Sequence, residues 1–306
     1  MHRAAGFTLT ETAIVLLIIG LALSATVVPV SRLFQASQFS SNQERLDAAR
    51  EALMAFAAIN GRLPCPDRTG DGVEDRRATA DNASFGCQGN IYEGFLPWVT
   101  LGVQQTDYWG TRFRYRVSAE FTRAGNTNEW ICSATNGLSL AGTAATGCTT
   151  GLNGSPPPGC TTPPGNPNSC TFEIADTGDI PVRDGQAGRA GTTFLMNTTV
   201  TPPTGAVAVI LSHGPNRLGG TDQFGTNMAV PAGGTDEALN APALAAIATG
   251  ARPSTSPFIV RPPLDGAPTG CNDNATGTLC NFDDQVTYVG ANNLVARLLQ
   301  SGLRLR

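Results

Sequence analysis

Four groups of side chains in this sequence have types and spacings that bear on chemistry. They are a lone acid near the amino terminus, aspartates at short intervals, one histidine in the body of the chain, and eight cysteines. Glu11 is the only acid among the first thirty residues, and it directly precedes an uncharged apolar run, Ala13 to Val30 (AIVLLIIGLALSATVVPV). Eighteen helical residues span roughly 27 Å, close to the thickness of a bilayer core. A carboxylate at the mouth of such a run costs several kcal/mol unless it is paired, so the sequence calls for a cationic partner to Glu11.

The aspartates fall in Asp67-Arg-Thr-Gly-Asp71-Gly-Val-Glu-Asp75. Oxygen ligands at steps of two followed by Gly72 match the opening of an EF-hand calcium loop. Thr69 replaces the usual acid at the third position, and Ala78 stands where the bidentate Glu belongs. A full EF-hand is therefore excluded. A partial calcium site on Asp67, Asp71 and Asp75 stands against the plainer expectation of an Asp-Gly turn. His213 follows Ser212, but neighbouring side chains in a strand point to opposite faces, so the pair is not the start of a catalytic triad. His213 is expected at a turn before Gly214-Pro215. There is no phosphate loop, no HExxH and no dinucleotide fingerprint, and the chain is not expected to be an enzyme.

The cysteines are Cys65, Cys87, Cys132, Cys148, Cys160, Cys170, Cys271 and Cys280, with no CxxC pair among them. An even count without metal-site spacing fits disulfides formed in an oxidising compartment. Eight cysteines allow 105 connectivities. Short-range closure favours Cys65–Cys87 and Cys271–Cys280. If the other four also pair locally, Cys132–Cys148 and Cys160–Cys170 follow.

These groups must be positioned by a head of mixed structure. The stretch from Ser31 to Asn60 is amphipathic, with Leu46, Ala49, Leu53, Phe56 and Ala57 at three- and four-residue steps, and Asn60-Gly61 is a stop signal. Pro29 is expected to kink or loosen the preceding helix. In Thr111–Ser118, Phe113, Tyr115 and Val117 alternate with Arg112, Arg114 and Arg116, which predicts a strand with one buried and one wet face. Further strands are expected at Glu129–Cys132, Thr171–Ile174, Ala206–Ser212 and Gln285–Val289, with a closing helix at Asn292–Gln300. Residues 133–170 and 250–275 read as irregular, decorated loops. The fold class is α+β: a long amino-terminal helix whose first half spans a membrane and whose second half packs on an antiparallel sheet. The segments read as a leader (1–6), an assembly helix (7–30), an amphipathic half (31–60) and a head (61–306). Charged residues are 14% of the chain, against a typical value of about 25%, and the net charge is −4. That balance gives no electrostatic footprint for nucleic acid.

Gly6-Phe7-Thr8-Leu9-Thr10-Glu11 resembles the prepilin cleavage and methylation motif of type IV pilins and type II secretion pseudopilins. The resemblance implies cleavage by a prepilin peptidase between Gly6 and Phe7, N-methylation of Phe7, and pairing of Glu11 with the terminal amine of a neighbouring subunit. It also implies a single-pass inner-membrane protein with a periplasmic head, other pilin or pseudopilin subunits as partners, and an assembly platform in the inner membrane. Asp107-Tyr108-Trp109-Gly110 with FRYRV, and Ser212-His213-Gly214-Pro215-Asn216 with Gly219-Gly220-Thr221-Asp222, are similar to segments of the major pseudopilin. The chain is much longer than that protein, which favours a minor or specialised subunit. The likeness adds Asp222, Asp273, Asp283 and Asp284 as calcium candidates, since related pseudopilins bind calcium in a carboxy-terminal loop. A conventional signal peptide cut near Ala25, a plain anchor, and a tip subunit whose head holds a surface or a secreted substrate are the competing readings.

Overall fold

The computed structural model describes residues 8–60, 62–76, 86–122, 131–132, 172–173, 178–185, 189, 191–200, 204–241, 256–273 and 277–300. Residues 22–32, 90, 120, 131–132, 172–173 and 299 are described by backbone alone. The leader with Gly6 and Phe7, loop 133–170, and Cys148, Cys160 and Cys170 lie outside the described residues. So, therefore, do the pairings proposed for Cys132–Cys148 and Cys160–Cys170. The chain divides into two units, Met1–Glu44 and Arg45–Arg306.

The first unit holds the opening of helix α1 (Leu9–Asn60), whose backbone is helical through Pro29. Ile14, Leu16, Leu17, Ile18 and Leu21 are all exposed on it. Among the described residues no helix is long and apolar enough to cross a membrane. The expected span Ala13–Val30 extends into 22–30, whose side chains are outside the described ones.

The second unit begins inside α1, at Arg45. Leu46, Ala49, Leu53 and Ala57 are buried in one cluster with Phe113, Tyr115, Val117 and Ile210, so this part of the helix belongs to the head. Phe56 is only half-buried, and the Arg62 guanidinium stands over its ring at 5.2 Å. α1 ends where Asn60 Nδ2 donates to the Phe56 carbonyl at 3.0 Å.

The sheet under this helix has strand order β1-β2-β7-β9 and is antiparallel throughout. Its strands are β1 (Glu93–Phe95), β2 (Arg114–Val117), β7 (Ala206–Ser212) and β9 (Gln285–Gly290). Between β1 and β2 lies the short α2 (Trp98–Leu101). A second layer, order β6-β5-β8, is made of β5 (Val182–Arg183), β6 (Phe194–Met196) and β8 (Phe258–Ile259). β3 (Ile131–Cys132) and β4 (Phe172–Glu173) form a separate parallel pair.

β7 is buried along its whole length because it has a core on each side. Val207, Ala208 and Ile210 join the helix-side cluster, while Ala206, Val209 and Leu211 pack with Ile180, Val182 and Phe258. The register shift between Ala206 and Ala208 is what lets Val207 and Ala208 fall in the same cluster. Helix α4 (Ala291–Gln300) follows β9 and adds Leu294 and Leu298 to the helix side. The short helix α3 (Asp236–Asn240) is N-capped by Thr235, whose hydroxyl accepts the Ala238 N–H.

One expectation is corrected here. The arginines of β2 do not face water: Arg112, Arg114 and Arg116 are 8%, 4% and 7% exposed. The second layer and its loops cover that face, and each guanidinium is given polar company. Arg112 donates to the Gly70 and Gln223 carbonyls and lies over the Phe95 and Trp98 rings. Arg114 donates to the carbonyls of Gly219 and Asn240. Arg114 and Arg116 both stand 3.9 Å from the carboxylate of Glu93, on the neighbouring strand.

Candidate functional site

Thr8 and Glu11 form a capping box at the start of α1. The Thr8 hydroxyl accepts the Glu11 N–H at 3.3 Å, and Glu11 Oε2 accepts the Thr8 N–H at 2.8 Å. The same oxygen accepts the Thr8 hydroxyl at 2.8 Å. Two of the helix's four orphan amide donors are settled this way. Oε1 takes no hydrogen bond from the described residues, so the carboxylate keeps one oxygen for a further donor. The side chain is exposed.

The aspartates of the 67–75 loop are occupied with the loop itself. Asp67 accepts the N–H groups of Gly70 and Gly72 at 2.6 and 2.8 Å. Asp71 accepts the Val73 N–H, and Asp75 accepts those of Arg68 and Thr69. Gly70 and Gly72 have φ of 84° and 85°, which only glycine adopts without strain. Burial pushes Asp67 above the usual carboxylate range, against the pull of its two backbone donors. Burial acts the same way on Glu74, but the Arg62 hydrogen bonds overcome it and hold that group low. Among the described residues no group of three or more His, Cys, Asp or Glu side chains is arranged to hold a metal ion. Near this loop Cys65 and Cys87 are joined in a disulfide, and Cys271–Cys280 forms a second one in the carboxy-terminal loop.

The two later motif segments meet at one corner of the sheet. Asp107 Oδ1 accepts the N–H groups of Trp109 and Thr111, and Oδ2 accepts the Ser212 hydroxyl at 2.8 Å. Arg45 of α1 donates to the Thr106 and Asp107 carbonyls at 3.2 and 2.9 Å, and Arg217 Nε donates to Thr111 Oγ1. Ser212 is thus committed to Asp107, and no Ser–His pair forms. His213 lies between the end of β7 and the turn at 214–216, and it is 1% exposed. Burial first, and then the Arg114 charge, hold its pKa well below the ordinary value, so the imidazole is neutral.

Around it lies a buried acidic cluster that the sequence did not announce as a unit. Asn216 donates from its backbone to Asp283 and from its side chain to Glu237. Glu237 Oε1 also accepts the Asp283 N–H at 3.2 Å. Asp284 accepts from Asn240 at 2.9 Å and lies 3.8 Å from His213 Nδ1. Burial and the Glu237 charge raise Asp283 to about 7, and burial raises Glu237 and Asp284 as well. The Glu237 charge beside the buried Asp283 favours the protonated form of Asp283. Asp273 and Asp222 serve elsewhere: Asp273 accepts the Asp236 and Cys280 N–H groups, and Asp222 those of Phe224 and Thr226. Only the adjacency of Asp283 and Asp284 could have hinted at the cluster; Glu237 is far away in sequence. No family model, curated protein or solved structure matches the chain.

Proposed function

We propose that this chain is a structural subunit of a type IV pilus or a type II secretion pseudopilus, in a minor or specialised role. Prepilin peptidase cuts between Gly6 and Phe7, Phe7 is methylated, and the subunit waits in the inner membrane with its head in the periplasm. Its partners are other pilin or pseudopilin subunits and an inner-membrane assembly platform. The observation that carries the reading is the placement of Glu11. A carboxylate with one oxygen unused by the described residues stands at the first turn of a helix whose next described turns expose only apolar side chains. In lipid or in a filament core such an acid needs a positive partner. Cleavage after Gly6 creates one on every copy. Exposed Ile14, Leu16, Leu17 and Ile18 supply the apolar surface that helix-to-helix packing would bury.

Support also comes from the packing of the lower half of α1 on an antiparallel sheet. Mass spectrometry of the mature amino terminus tests the processing step. The expected chain begins at methylated Phe7; a start near Thr26 would mean a conventional signal peptide.

A further inference from the structure

A pocket of about 230 Å³ opens within the second unit, between the lower part of α1 and α4, with β9 as its floor. Its donors are Arg50 from α1 and Asn293, Arg297 and Gln300 from α4; Met54 and Val289 supply apolar wall. Among the described residues no acidic side chain lines it. Arg50 Nε is buried and has no hydrogen-bond partner among the described residues, which costs free energy and marks a guanidinium not already committed to a carboxylate. Arg297 already shares charge with Glu51, at 3.3 Å. Two guanidinium groups less one carboxylate leave one net positive charge beside the pocket.

We infer that this pocket binds a monocarboxylate on a short apolar stem. The planar guanidinium fork of Arg50 matches a carboxylate's two oxygens. A single net charge matches a monoanion better than a phosphate dianion. The amides of Asn293 and Gln300 can donate to remaining lone pairs, and Met54 and Val289 meet the carbon stem. The carboxylate comes either from a free short-chain acid or from a glutamate side chain of another copy.

The test is titration of the full chain, in detergent micelles, with butyrate, 1-butanol and inorganic phosphate, followed by saturation-transfer NMR. Butyrate is expected to saturate, and to bind more tightly than the other two. Arg50→Gln is expected to weaken it about tenfold or more, the usual worth of a charge-assisted hydrogen bond. Arg297→Gln, at a half-exposed position that folding tolerates, is expected to weaken it less. Unsaturable butyrate binding, or equal binding by wild type and Arg50→Gln with an unchanged melting curve, would overturn the inference. Sedimentation equilibrium then separates the sources. Self-association lowered by both butyrate and Arg50→Gln assigns the site to another copy's glutamate; self-association unmoved by either assigns it to a free acid. Neither result depends on the processing or assembly of the amino-terminal segment.

Discussion

Glu11 Oε2 accepts both the backbone N–H and the hydroxyl of Thr8, each at 2.8 Å. This fixes the carboxylate at the first turn of α1 and leaves Oε1 for another donor. Thr8→Val would remove the hydroxyl half of the capping box. The expected cost is about 1 kcal/mol of local helix stability, read as faster hydrogen exchange of the Glu11 and Thr12 amides in micelles. Unchanged exchange would mean that the box does not hold the helix start.

Glu93 is shared by two buried arginines, Arg114 and Arg116. Glu93→Ala should leave both charges uncompensated on a covered face and cost about 3–5 kcal/mol. Urea unfolding of the full chain measures this. A loss below about 1 kcal/mol would show that the backbone carbonyls bonded to Arg114 are sufficient by themselves.

Those arginines also show how far the sequence could be read. The alternation in residues 111–118 gave a strand and its apolar face; Ala206–Ser212 read as a strand by its long apolar run, and Gln285–Val289 by its β-branched and aromatic residues. Period-two alternation says that two faces differ, not whether the second is covered. The covering strands β5, β6 and β8 have two or three residues each, too short to show periodicity. β1 is centred on Gly94, a poor strand former that tolerates the close approach of the Asp67 carbonyl. Of the sites, the capping box has a sequence signature, the Thr-x-x-Glu of Thr8 to Glu11, which lay unrecognised inside the cleavage motif. The Glu237–Asp283 pair has none, because its members are joined only by the fold.

That pair predicts a pH dependence. Asp283 titrates at about 7 in the folded chain, above its unfolded value of 3.8. A raised acid contributes stability in full below the unfolded value and loses it as pH rises through the folded one. The facing groups are Glu237, Asp284, His213, Arg114 and Asp265. His213, held neutral, acts oppositely, costing stability as pH falls below about 6.5. The contrast between wild type and Asp283→Asn isolates the pair. The variant should gain on wild type between pH 4 and 7, by on the order of a few kcal/mol. Parallel stability curves would refute the raised Asp283.

Asp67 holds its loop through two backbone amides. Asp67→Ala should therefore cost about 2–3 kcal/mol in calcium and in EDTA alike, by thermal unfolding. A stabilisation that needs calcium and disappears in Asp71→Asn would instead restore the cation reading of Asp67, Asp71 and Asp75.

The most direct measurement replaces Glu11 with valine and compares the membrane-inserted and polymerised fractions in cells carrying the assembly machinery. The account predicts normal insertion and processing but a near-complete loss of the chain from sheared filaments. Equal amounts of wild type and variant in the polymer would contradict it.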